Sequence, residues 1–206
     1  MTRLLPALLL LSGCYHSVDA GPEVSDTRSL NSFSKLRVQD GLTVHFAPGA
    51  VNEVEIATQQ KVLENLLTEV KDGTLTVRLK PGVRVSSLEW TDVNVTGTDV
   101  RELNASESSS VIATGLDRDA LTLAASGGSR IECAGTVSAL HVEASGGSTV
   151  TATAQRADLD VSGGSQISIT ADFISGAASG GSTITANADA DLTGLIISGG
   201  SQVTNN

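Results

Sequence analysis

Ser-Gly-Gly-Ser occurs five times in the last hundred residues, starting at Ser126, Ser145, Ser162, Ser179 and Ser198, at steps of 19, 17, 17 and 19 residues. A period this short belongs to a stacked array, because each unit is too small to bury its apolar side except against its neighbours. Aligning the units on their first Ser exposes the pattern. One residue before it stand Ala125, Ala144, Val161, Ala178 and Ile197, and three before stand Leu123, Val142, Leu159, Gly176 and Leu195. Five before come Leu121, Leu140, Ala157, Ile174 and Thr193; five after come Ile131, Val150, Ile167, Ile184 and Val203. Seven after come Cys133, Ala152, Ile169, Ala186 and Asn205. Apolar residues at every second position on both sides of the Gly pair predict a strand, a bend and a second strand in each unit.

A degenerate copy precedes these five, with Leu103, Ala105, Ser106, Ser109 and Val111 in frame and Glu107-Ser108 in place of the Gly pair. The fold class is therefore all-β: a parallel β-solenoid of about six rungs, spaced by roughly 4.8 Å. A run of hairpins is the competing topology, but hairpins do not require the same residues at the same offsets on every turn. The Gly pairs supply positive φ or room for close backbone approach, and the serines form ladders along the stack. That polar row could alternatively be a ligand strip. Thr204-Asn205-Asn206 reads as a polar stop against end-to-end strand addition.

Upstream, residues 28–98 read as a β-rich head continuous with the 99–206 solenoid, one domain in all. Its alternations are Leu36 and Val38; Leu42, Val44 and Phe46; Val54 and Ile56; Leu75, Val77 and Leu79; Val93 and Val95. Asp40-Gly41 and Asp72-Gly73 read as hairpin turns, and Pro48-Gly49 and Pro81-Gly82 close other strands. Val62, Leu63, Leu66, Leu67 and Val70 fall at helical spacing, which predicts one short amphipathic helix over 59–70.

The chain starts with Met-Thr-Arg, an apolar run from Leu4 to Leu11 and then Leu11-Ser12-Gly13-Cys14. The run is too short to span a bilayer and has the form of an export signal. Leu-Ser-Gly-Cys resembles the lipobox of bacterial lipoproteins, which makes residues 1–13 a signal peptide, Cys14 the lipidation site and residues 14–27 a polar tether. A plain secretory signal is the alternative. Acyl chains contribute about 0.8 kcal/mol per buried methylene, so such a protein is anchored to the membrane without crossing it. Tyr15 stands where an inner-membrane retention Asp often follows the lipidated Cys, which favours the outer membrane. The formal net charge of −10 argues against nucleic acid as a partner.

Little in the chain carries chemistry. His141, Glu143, Asp158 and Asp160 occupy the same two outward positions on consecutive rungs and should form a square patch. Such a patch could hold a cation or ligand, or serve as a carboxylate pair; otherwise it is a solvated acidic face partly neutralised by Arg156. Cys133 falls in an inward column and reads as a core residue. His16 and His45 lack metal-ligand spacing, and no Gly-x-Ser-x-Gly elbow, calcium nonapeptide, phosphate loop or dinucleotide fingerprint occurs. We therefore expect no catalytic residues, no metal and no cofactor.

The order of parts, from Phe33, Leu36 and Val38 through Gly41, Val44, Val54, Ile56 and Asp72-Gly73-Thr74-Leu75-Thr76-Val77 to Val93, Val95 and the serine-glycine repeats, resembles the head GIN domain family. The likeness extends over about Arg28 to Gln202. Members are bacterial, often exported and labelled auto-transporter adhesins; the resemblance implies an all-β, solenoid-like envelope protein with no catalytic residues to carry over. A lipid anchor is expected in place of an auto-transporter barrel, for which 206 residues leave no room. The expectation is a non-enzymatic envelope lipoprotein that binds a protein or glycan. A carbohydrate-active enzyme or cation-dependent glycan binder using the His141 patch is the alternative.

Overall fold

The computed structural model describes residues 16–18 and 21–206. From Glu102 onward every strand pairing is parallel, which sets aside the run of hairpins. Each coil contributes one strand to each of two sheets. The first sheet contains the opening halves of Ser110–Ala125 and Arg130–Ala144, then Thr149–Thr153, Gln166–Thr170, Thr183–Ala186 and Gln202–Asn205. The second contains the closing halves of the two long strands, then Arg156–Val161, Phe173–Ala178 and Asp191–Ile197. The sheets share one core of buried Leu, Ile, Val and Ala, and the alternating columns pair in the expected register. Unequal unit lengths leave these columns untouched. The chain takes two more residues between Cys133 and Ala139 than between Ala152 and Arg156, so the surplus lodges in the corner opposite the bend.

In every bend two consecutive residues take left-handed φ, 63° and 74° at Gly127-Gly128, 66° and 76° at Gly163-Gly164, 57° and 62° at Glu107-Ser108. The two glycines of a pair answer different demands. A Cβ on Gly163 would lie 2.8 Å from the Gly146 nitrogen, and one on Gly180 would lie 2.9 Å from the Gly163 nitrogen. Successive bends approach too closely there for any side chain. A Cβ on Gly164 or Gly181 would meet nothing within 4 Å, so only the dihedral favours glycine at those positions. The bends are zipped along the stack, with Gly128 N–H donating to the Gly146 carbonyl at 3.0 Å and Gly147 N–H to that of Gly163 at 2.9 Å. The closing serines turn inward. Ser148, Ser165 and Ser182 are buried, and their hydroxyls donate to the carbonyls of Ser145, Ser162 and Ser179 at 2.7–2.8 Å. The closing serines thus fasten the bends, whereas the opening serines Ser126, Ser145 and Ser162 line a cavity on the outer face.

The head carries both sheets onward. Lys35–Val38 lies parallel between Glu102–Ala105 and Thr74–Leu79, and Thr43–Pro48 lies parallel between residues 110–113 and Asp92–Gly97. These two strands do not pair with each other, so Asp40-Gly41 is not the expected hairpin turn. It is another bend of the stack, with φ of 62° and 74° and Gly41 N–H donating to the Glu107 carbonyl at 3.0 Å. Asp72-Gly73 does turn a hairpin, joining Leu66–Lys71 to Thr74–Leu79. Antiparallel pairing is confined to this end, where Glu53–Gln59 also joins Asp92–Gly97 and Glu23–Ser29. Arg28 ties the edges of the two sheets together, donating from Nη1 to the Leu66 carbonyl at 3.1 Å and to Thr68 Oγ1 at 2.9 Å.

Two segment assignments need correction. The helix expected over 59–70 is one turn, Gln60–Leu63, and Leu66 to Val70 are strand because the Asp72-Gly73 hairpin gives them a partner. The tether expected over 14–27 overlaps an edge strand, since Glu23–Ser29 pairs along its whole length with Glu53–Gln59, and His16–Val18 pairs with Val83–Val85. Residues 1–13 and Cys14 lie outside the described residues. At the other end Asp191–Ile197 and Gln202–Asn205 each have a strand on one side only. Asn205 does sit in the expected stop column, yet the second sheet ends on Ile196, 69% exposed, and Ile197.

Candidate functional site

Register assembles the predicted patch. His141 stands opposite Asp158 and Glu143 opposite Asp160 on neighbouring strands of the second sheet, all four facing outward. His141 bonds both its nearest carboxylates, Nδ1 to Asp158 Oδ2 at 3.1 Å and Nε2 to Glu143 Oε1 at 3.3 Å. Asp158 Oδ1 also accepts from Ser175 Oγ at 3.3 Å. Arg156, expected to neutralise the patch in part, holds its guanidinium 5.0 Å from the centroid of the Phe173 ring. Among the described residues no group of three or more His, Cys, Asp or Glu is arranged to hold a metal ion.

The outer face carrying this patch is grooved, because many of its outward positions hold small residues. Ala120 and Ala139 share one column, Ala124 and Ala177 another. Three adjoining cavities result. One of about 440 Å³ lies between Arg37 and Asn104 at one end and Glu143 and Asp160 at the other. A second, of about 360 Å³, lies between Arg101 and the His141–Asp158 pair. The third, of about 390 Å³, is bounded by Arg156, Asp158, Phe173, Ser175, Asp191 and Thr193. Asp191 is fixed there by the Thr193 backbone N–H, which donates to Oδ1 at 2.9 Å; these Thr193 contacts hold its carboxyl below the usual range. Phe173 was not singled out from the sequence. The available signal was an aromatic at an outward position, aligned with Ala120, Ala139 and Arg156, in a chain with 2% aromatics.

Cys133 occupies its predicted inward column, opposite Ala113 and Ala152. Burial pushes its thiol up to about 11. The reactive thiolate is thus scarce at neutral pH. In a Cys14→Ser chain, Cys133 should resist iodoacetamide at pH 8 in the folded protein and react within minutes in denaturant; equal rates would mean the column is open.

The fold and this face define a class: a two-sheeted parallel β-solenoid capped by an antiparallel edge, whose distinguishing surface is a shallow groove. Among the described residues no helix is long and apolar enough to cross a membrane. The chain belongs to the family described as "Putative auto-transporter adhesin, head GIN domain", whose model matches residues 32–206. Among solved structures it is similar to a "putative adhesin" from Bacteroides fragilis NCTC 9343, at 17% identity and TM-score 0.74, covering 90% of this chain and 97% of that one. A "putative adhesin" from Parabacteroides merdae ATCC 43184 matches at 15% identity and TM-score 0.61, covering 92% and 99%. A "putative lipid binding protein" from Parabacteroides distasonis ATCC 8503 matches at 16% identity and TM-score 0.67, covering 93% and 100%. No curated protein sequence matches.

Proposed function

We propose that the chain is a lipid-anchored protein of the cell envelope, held at the outer membrane through Cys14, that performs no catalysis and binds a macromolecule on the grooved face. The observation that carries this reading is the alignment of three cavities on one outer face of a rigid stack. Elongated shallow surfaces suit a polymer or a protein better than a small substrate, and side chains borne on stacked strands hold their positions without a ligand. His141 and its carboxylates are engaged with one another at an open surface, 40–60% exposed, which favours contact over proton transfer. The family description and the names of the neighbours point the same way.

Two measurements test it. Cells fed an alkyne fatty acid should label the full chain, and Cys14→Ser should abolish the label. Cells displaying the chain should then be retained on arrays of immobilised glycans and extracellular proteins, and Ala124→Arg, which fills the groove, should reduce that retention. An unlabelled chain sinks the anchor; no retention on any surface sinks the binding role.

A further inference from the structure

We propose that the cavity beside Phe173 is a sugar-binding subsite for a neutral glycan chain lying across the strands of the groove. This rests on the reading of the grooved face as a binding surface and names what it binds.

Phe173 is 48% exposed on a strand of the second sheet whose Ile174 and Ala178 turn inward. Arg156 on the neighbouring strand lies over its ring at 5.0 Å, and a cation over the π face fixes the ring's attitude. A fixed, half-exposed ring offers an apolar wall against which the C–H face of a pyranose can pack with little entropic cost. Gly194 lines the same cavity and puts no side chain into it; a Cβ there would crowd Ser175 Cβ at 3.0 Å. The wall is faced by acceptors. Asp158 is oriented by His141 and Ser175, and Asp191 by Thr193. Carboxylates held by neighbouring donors retain free lone pairs for sugar hydroxyls, and these charge-assisted bonds are the stronger kind. An apolar wall with a few convergent polar groups, in about 390 Å³, has the composition of a small-ligand site.

The same features choose among occupants. Glu143, Asp158, Asp160 and Asp191 outnumber Arg37, Arg101 and Arg156 along the three cavities, a balance that disfavours a sulfated or uronic acid polymer. A peptide adding as a strand would have to take the free edge of Asp191–Ile197, whereas the Phe173 strand is already paired on both sides. Neutral hydroxyl-rich chains satisfy the acceptors without bringing like charge. The cavity between Arg101 and His141 shares Ala139, Leu140 and Asp158 with the Phe173 cavity, so a second residue of the chain has a place to lie.

The test is calorimetric titration of the full chain with tetra- to hexasaccharides of the cello, xylo, manno and chito series, alongside heparin fragments and immobilised matrix proteins. At least one neutral series should bind, Phe173→Ala should weaken it by about tenfold or more, and Phe173→Trp should restore it. Asp191→Ala should weaken it independently. Phe173 and Asp191 are exposed, so both variants should melt with the parent. Binding that Phe173→Ala leaves unchanged overturns the subsite, as does binding confined to heparin. A chain that captures a matrix protein and no glycan overturns this inference while the binding role stands; a chain that binds none of these removes both.

Discussion

Replacing Gly176 by Ala is expected to destabilise the fold by about 4 kcal/mol or more, a fall of roughly 10 °C or more in melting temperature for a chain of this size. Gly176 has φ of 107°, and a Cβ there would sit 2.1 Å from the Leu159 carbonyl oxygen and 2.6 Å from its nitrogen. Both obstacles are backbone of the strand to which Gly176 is paired, so relief means parting the ladder between two coils. Gly164→Ala provides the contrast. It adds the same methyl at φ of 76° with nothing within 4 Å, and should cost only about 1–2 kcal/mol for the left-handed conformation. Thermal melts of the two variants side by side decide the matter. Equal losses would mean that backbone proximity between coils is not what demands glycine at 176.

A truncation in the middle of the stack should cost far more than the same truncation at its open end. Ile167 is 2% exposed and lies in one column between Val150 and Ile184, so Ile167→Ala removes contacts from the coils on both sides, at about 3–4 kcal/mol. Val203 occupies the same column on the last coil, only partly buried and covered on one side alone. Val203→Ala should cost about 1 kcal/mol, and urea unfolding should read that loss as early release of the last coil before the main transition. Indistinguishable midpoints for the two variants would contradict the layered account of stability.

These contrasts explain which parts of the fold were legible in the sequence. The columns could be read because the Gly pairs fix the register, and a fixed register turns period-two alternation into a map of the core. The same register places His141 opposite Asp158 from the sequence alone. Other elements failed for physical reasons. Leu66 and Val70 are four apart, a spacing that suits one face of a helix and one face of a strand equally; only pairing with Thr74–Leu79 selects the strand. Asp40-Gly41 and Asp72-Gly73 share a dipeptide and similar left-handed φ, yet one passes the chain between sheets and the other reverses it within a sheet. The difference lies in which strand is on offer nearby, which no local signal records. The groove is not legible in the sequence because it is made by what is missing: small side chains at outward positions carry no chemical signal.

The open last coil has a mechanical consequence. Strands lie across the stack and their hydrogen bonds run along it, so a pull between the Arg28-closed end and the last coil meets the ladders end on. Under such a load the coils should peel singly from the open end, each freeing 17 or 19 residues, about 60 Å of slack, while those beneath keep their full pairing. A stack built this way should lengthen in steps when pulled from its last coil.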